Sequence, residues 1–77
     1  MTAEVTLEKI TFPDSESVTE ASYDPQNKEL FVTFRKGTQY VYFDVPSDLF
    51  ARFAKADSAG KFVHKEIIGK FRYGKIF

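Results

Sequence analysis

The chain has 77 residues, 43% of them hydrophobic and 17% aromatic, with nine Phe, four Tyr, no Trp and no Cys. That length supports one small core and no second domain, and the apolar fraction is too high for intrinsic disorder. The lack of cysteine excludes a disulfide framework, a thiolate metal site and a Cys nucleophile, so for a domain this small the cytoplasm is the expected compartment.

Charge is balanced in sum and uneven in place. Eleven basic and eleven acidic residues cancel, which argues against strong nonspecific attraction to a polyanion. Residues 1 to 34 carry seven acids and two bases, a balance of −5, whereas residues 61 to 77 carry five bases and one acid, a balance of +4. Such asymmetry has two readings, an anion-facing end or two halves that attract each other within the fold. Met1-Thr2-Ala3-Glu4-Val5 lacks the basic start and apolar run of a signal peptide, and nowhere do about 18 uncharged apolar residues follow one another, so neither export nor membrane spanning is expected.

Residues 1 to 16 read as an N-terminal arm: Val5, Leu7 and Lys9 alternate with their neighbours and permit a short strand, while Phe12-Pro13-Asp14-Ser15-Glu16-Ser17 reads as a loop. Residues 17 to 77 read as the domain itself. A strand from Val18 to Tyr23 should end at Asp24-Pro25-Gln26-Asn27-Lys28, where Pro25 and Asn27 supply turn chemistry. Leu30, Val32 and Phe34 alternate with Phe31, Thr33 and Arg35, and Lys36-Gly37 then turns the chain into a third strand over Gln39–Val45. A two-residue loop there pairs Thr33 with Tyr40, Val32 with Val41, Phe31 with Tyr42 and Leu30 with Phe43. Leu30, Val32, Phe34, Val41, Phe43 and Val45 then form one face, and Phe31, Thr33, Arg35, Tyr40 and Tyr42 the other.

Pro46-Ser47-Asp48 suits a helix start, and Leu49, Phe50, Phe53, Ala54 and Ala56 lie at helical spacing to cover the Leu30/Phe43 face. Ser58 is placed to cap a second short helix over Lys61–Ile67, closed by Gly69. Lys70 to Phe77 alternates basic and apolar residues, the pattern of a short strand or an extended tail. The expected fold is α+β: a three-stranded antiparallel meander followed by two short helices on one face, with room for an additional N- or C-terminal strand.

Several local motifs occur in a fixed order: Tyr23-Asp24-Pro25, Phe34 with Gly37, Tyr40-Val41-Tyr42-Phe43, Val45-Pro46, Ser58-Ala59-Gly60-Lys61-Phe62 and Ile68-Gly69-Lys70-Phe71. In that order they resemble the KTSC domain, named from the C-terminus of some lysyl-tRNA synthetases and found alone in bacterial and phage proteins. The resemblance covers roughly residues 17 to 73 and rests on Tyr40-x-Tyr42, the Val-Pro helix start, Ser-x-Gly and Ile-x-Gly-Lys; Phe71 departs from it where Tyr is expected. It implies a bacterial or phage protein, resident in the host cytoplasm if phage-encoded, and RNA as a candidate ligand.

The residues themselves nominate one site. Tyr40, Tyr42, Phe31 and Arg35 form, in the register above, a patch of rings and a guanidinium of the kind that stacks unpaired bases. Lys61, Lys65, Lys70, Arg72 and Lys75 are placed to supply phosphate contacts. Against this stands a structural reading in which Phe62, Phe71 or Tyr73 folds over the rings and makes them a second core, and in which the lysines are a solvated face. A protein partner or a weak homodimer on the same patch is the alternative binding reading, monomer otherwise. No enzyme is expected: Ser58-Ala59-Gly60-Lys61 lacks the spacing and the following Ser or Thr of a phosphate-binding loop, no nucleophile motif surrounds Ser47 or Ser58, and of the acid pair Asp44 and Asp48, Asp48 has the simpler role of starting a helix while Asp44 is free to cap or bridge. His64 stands alone as a ligand type, so neither a metal nor another cofactor is expected.

Overall fold

Alternating side chains and three short turns build a five-stranded antiparallel sheet whose strands lie side by side in chain order: β1 (Glu8–Thr11), β2 (Val18–Asp24), β3 (Glu29–Phe34), β4 (Gln39–Tyr42) and β5 (Tyr73–Lys75). The computed structural model describes residues 7–77, so Val5 in the arm lies outside the described residues. Between β4 and β5 come helix α1 (Ser47–Ala54), the single-turn helix α2 (Ala59–Phe62) and a π-turn over Val63–Ile67. The three-stranded expectation therefore grows by two: residues 8 to 11 pair with β2, and residues 73 to 75 pair with β4.

The hairpin between β3 and β4 has three loop residues, Arg35, Lys36 and Gly37, rather than two. The Gly37 N–H donates to the Phe34 carbonyl (2.8 Å) and the Phe34 N–H to the Thr38 carbonyl (2.8 Å), with Gly37 at φ +94°, a conformation that suits a residue without a Cβ. The extra residue moves the register by one. Leu30 pairs with Tyr42, Phe31 with Val41, Val32 with Tyr40 and Thr33 with Gln39. Because side chains alternate along a strand, that single step transfers Tyr40 and Tyr42 to the face of Leu30 and Val32, and Val41 and Phe43 to the opposite face with Phe31.

A β-bulge at Thr19 turns Val18 inward: Val18 pairs with Phe34 and Glu20 with Thr33, so Val18, Ala21 and Tyr23 all reach the core. The helices cover this face. Leu49, Phe50 and Phe53 of α1 and Ala59, Val63 and Ile67 beyond it are buried against Leu30, Val32 and Val45. Aromatic stacking joins the layers, with Phe12 on Phe53 (ring centroids 5.0 Å apart), Phe53 on Phe62 (5.1 Å) and Tyr23 on Phe50 (5.1 Å). Val45 regains the core after the register shift because Asp44 adopts φ +58° and redirects the chain. It is pinned there from both sides, its N–H donating to the Lys28 carbonyl (2.9 Å) and its carbonyl accepting from the buried Tyr23 hydroxyl (2.5 Å).

Three further contacts shape the remaining turns. Ser58 caps α2 by accepting from the Lys61 N–H (3.3 Å). Gly60 approaches Ser17 so closely that a Cβ there would lie 3.0 Å from its Oγ and 3.1 Å from its Cβ. At the β2–β3 turn, the Asp24 carboxylate accepts from the Asn27 side chain (2.8 Å) and from the Gln26 and Asn27 N–H groups (3.0 and 3.3 Å). The Asn27 side-chain bond, aided by these backbone donors against the opposing effect of burial, holds the Asp24 carboxyl below its ordinary range.

Two outcomes follow from these turns. Gly37→Ala should lower stability by about 1–2 kcal/mol through backbone strain alone, since nothing lies within 4 Å of the added Cβ; Gly74→Ala, where the added Cβ would sit 3.7 Å from Val41, should change little, and denaturant melts of the pair measure both. A depressed folded-state value means that Asp24 stabilises the fold above the ordinary carboxylate pKa of about 3.9 and loses that effect as pH falls through its lower folded value. Melting temperatures measured from neutral pH down to acid should therefore fall less steeply for Asp24→Ala than for the parent chain.

Candidate aromatic and basic site at the C-terminal edge

The register decides where each nominated side chain stands. Tyr40 and Tyr42 project from β4 on the helix-covered face, and Tyr73 joins them from β5 because it pairs with Tyr42. In an antiparallel ladder the pairs that do not exchange hydrogen bonds bring side chains closest. The three rings meet accordingly, with centroids 6.4 Å apart for Tyr40–Tyr42, 5.8 Å for Tyr40–Tyr73 and 6.0 Å for Tyr42–Tyr73, and Phe34 stands edge-on to Tyr40 at 5.8 Å. Exposure grades across the cluster: Tyr42 is 4% exposed, Tyr40 half-buried and Tyr73 63% exposed. Burial, followed by the neighbouring phenols of Tyr40 and Tyr73, pushes the Tyr42 hydroxyl above its ordinary pKa, so it is neutral at physiological pH.

Phe31 and Arg35 do not belong to this cluster. Phe31 lies on the opposite face beside Ser22 and Val41. Arg35 sits in the hairpin loop and turns toward the chain before β2, its Nε donating to the Ser15 carbonyl (3.1 Å) and its Nη2 to Ser15 (2.6 Å) and Phe12 (3.5 Å). The patch of Phe31, Arg35, Tyr40 and Tyr42 is thus divided by a one-residue difference in loop length. The guanidinium fixes the loop that carries Phe12 onto Phe53.

The basic residues also separate. Lys61 and Lys65, with His64, line a cleft of about 890 Å³ whose other wall is the loop of Asp14, Ser15 and Glu16. Here the basic end and the acidic half do face each other. Arg72 lies over the Phe43 ring (5.6 Å) on the outer face and pairs with Asp44 (3.1 Å), both side chains largely exposed. Lys70 precedes β5, and Lys75 lies on β5 opposite Tyr40, on the tyrosine face. Residues 70 to 77 hold three bases and no acid, and Tyr73, Ile76 and Phe77 are exposed along the same segment. The arrangement offers an accessible ring resting on two others, flanked by lysines. Lys75 is one of the lysines expected from the sequence to contact phosphates, and Tyr73, expected there only as a cover for the rings, is their exposed member.

Among the described residues no group of three or more His, Asp or Glu side chains gathers in a metal-binding arrangement, and no helix is long and apolar enough to cross a membrane. If Arg35 acts only as a clamp on the preceding loop, Arg35→Ala should cost about 0.5–1.5 kcal/mol and speed amide exchange around Ser17 and Val18, with the Tyr40–Tyr73 resonances unmoved in a heteronuclear spectrum.

Comparison with known proteins agrees with this architecture. The family model for the KTSC domain matches residues 14–71. A crystal structure of a KTSC domain protein from Yersinia pestis superposes with a TM-score of 0.86 at 32% identity, covering 94% of this chain and 100% of that one. A small protein from Tsukamurella paurometabola is 34% identical over 59 residues, 77% of this chain and 88% of its own length. A lysine–tRNA ligase from Trichormus variabilis is 33% identical over 64 residues, 83% of this chain, which spans 11% of the ligase. The fold is shared with that crystal structure, and the chain belongs to the KTSC domain family.

Proposed function

We propose that this domain is a noncatalytic module that binds single-stranded RNA along its C-terminal edge. The observation that carries the reading is Tyr73: it is 63% exposed, backed by the Tyr40 and Tyr42 rings, and set in a segment with Lys70, Arg72 and Lys75 and no acid. An exposed ring held at a fixed angle by two others is a stacking platform for an unpaired base, and lysines on either side attract its phosphates. The matching stretch in a lysine–tRNA ligase supports RNA as the ligand. Arg72 contributes from its seat on Phe43, where the ion pair with Asp44 is solvent-exposed and weak enough to be exchanged for a phosphate. Lys61 and Lys65, in their own cleft, serve as secondary phosphate contacts.

Exposure of Ile76 and Phe77 beside Tyr73 favours a second reading, a protein partner on the same edge. The two differ in salt dependence. Three phosphate contacts to a single strand give a slope of roughly −2 in log K against log salt, whereas an apolar protein interface changes little. In an amide-shift titration with a mixed-sequence single-stranded RNA, shifts should cluster on Tyr40, Tyr73 and Lys75 and shrink as salt rises. Tyr73→Ala should weaken binding by about 5- to 150-fold, the equivalent of about 1–3 kcal/mol for one stacked base, with the fold intact. A folded protein that shows no shifts with RNA would reject this reading.

A further inference from the structure

The edge of the sheet contributes more than side chains. β5 is the last strand, and among the described residues nothing pairs with its outer side. Hydrogen bonds on its inner side show which residues face β4: the Phe43 N–H donates to the Arg72 carbonyl (2.9 Å) and the Ile76 N–H to the Gln39 carbonyl (2.8 Å). Alternation along the antiparallel ladder then directs the backbone groups of Arg72, Gly74 and Ile76 inward and those of Tyr73 and Lys75 outward. The ladder ends in a β-bulge, where the N–H groups of both Ile76 and Phe77 reach the Gln39 carbonyl (2.8 and 3.3 Å). Two outward N–H groups therefore remain on the edge, one on the residue with the exposed ring and one on a lysine.

Resting on the RNA reading above, we infer that the Tyr73 and Lys75 amides anchor successive phosphates of a single strand running along β5. Outward amides two residues apart repeat at about 6.8 Å, close to the separation of successive phosphates in an extended single strand. Lys70 and Lys75 supply the charge complementarity. The Tyr73 ring, directed to the helix-covered face, receives a base while its own N–H holds the phosphate beside that base. Amide-to-phosphate contacts carry no sequence information, so the mode of recognition is extended backbone plus one stacked base, without a preferred sequence.

Proline tests this directly. At an outward edge position it removes an N–H that makes no ladder bond, and Gly74 before it has no Cβ for the proline ring to strike. The comparison is Lys75→Pro against Lys75→Ala, both lacking the ammonium, with binding of a short oligouridylate measured by fluorescence anisotropy. Lys75→Pro should bind about 10-fold more weakly than Lys75→Ala, as expected for loss of a charge-assisted hydrogen bond. In the parent protein, saturating oligouridylate should slow hydrogen exchange at the Tyr73 and Lys75 amides. Equal affinities of two folded variants would overturn the inference while leaving the RNA reading intact, and failure of the parent chain to bind would remove both. Should Lys75→Pro not fold, unchanged exchange at those two amides in the RNA-bound parent chain would overturn it alone.

Discussion

One glycine with a positive φ sets the arrangement of side chains on half of the sheet. With Gly37 closing a three-residue loop, β4 meets β3 in the register that places Tyr40 and Tyr42 on the face of Leu30 and Val32. A loop shorter by one residue would bury Val41 and Phe43 in their place, since a register step of one exchanges the two faces of a strand. The burial of Tyr42, its contact with Tyr73, the seat of Phe43 beneath Arg72 and the need for Asp44 to turn Val45 back inward all descend from that loop. The aromatic cluster at the C-terminal edge is thus a product of turn geometry as much as of aromatic content.

The elements were legible in the sequence because their signals are local. Alternation in Leu30–Phe34, the turn residues Pro25 and Asn27, the helical spacing of Leu49, Phe50 and Phe53 and the Ser58 cap each depend on a few neighbours, and each has its counterpart in the structure. Register was not legible because Gln39–Val45 is apolar or aromatic at nearly every position. Either face of such a strand can be buried, and hydrophobic pattern then cannot choose between loops of two and three residues. Arg35 was misplaced by the same ambiguity: counted as a strand residue it joins the rings, whereas in the loop it reaches back to Ser15 and Phe12. The pairing of β5 with β4 joins segments separated by both helical turns, which composition does not reveal.

Covering the inner face by stacked rings also explains how so short a chain closes a core. Phe12, Phe53 and Phe62 form a continuous stack from the loop before β2 through α1 to α2, so three separate segments share one column of rings. Arg35 and the close approach of Gly60 to Ser17 hold the same loop from opposite sides. The loop that reads as a loose arm in the sequence is consequently a packed part of the domain, and the less enclosed part is the opposite edge, where Tyr73 stands.

Strand order that follows chain order has an electrical consequence. The acid-rich first half occupies the β1–β3 side of the sheet, while Lys70, Arg72 and Lys75 lie at β5, so a molecule of zero formal charge possesses a dipole lying across its strands. Zero net charge gives no uniform attraction toward a polyanion, but in a polyanion's field such a dipole experiences a torque that turns the β5 edge foremost. For the RNA binding proposed above, the number of productive encounters is then governed by orientation during approach, and a charge reversal at the β1 edge, far from the proposed contacts, would be felt in the association rate.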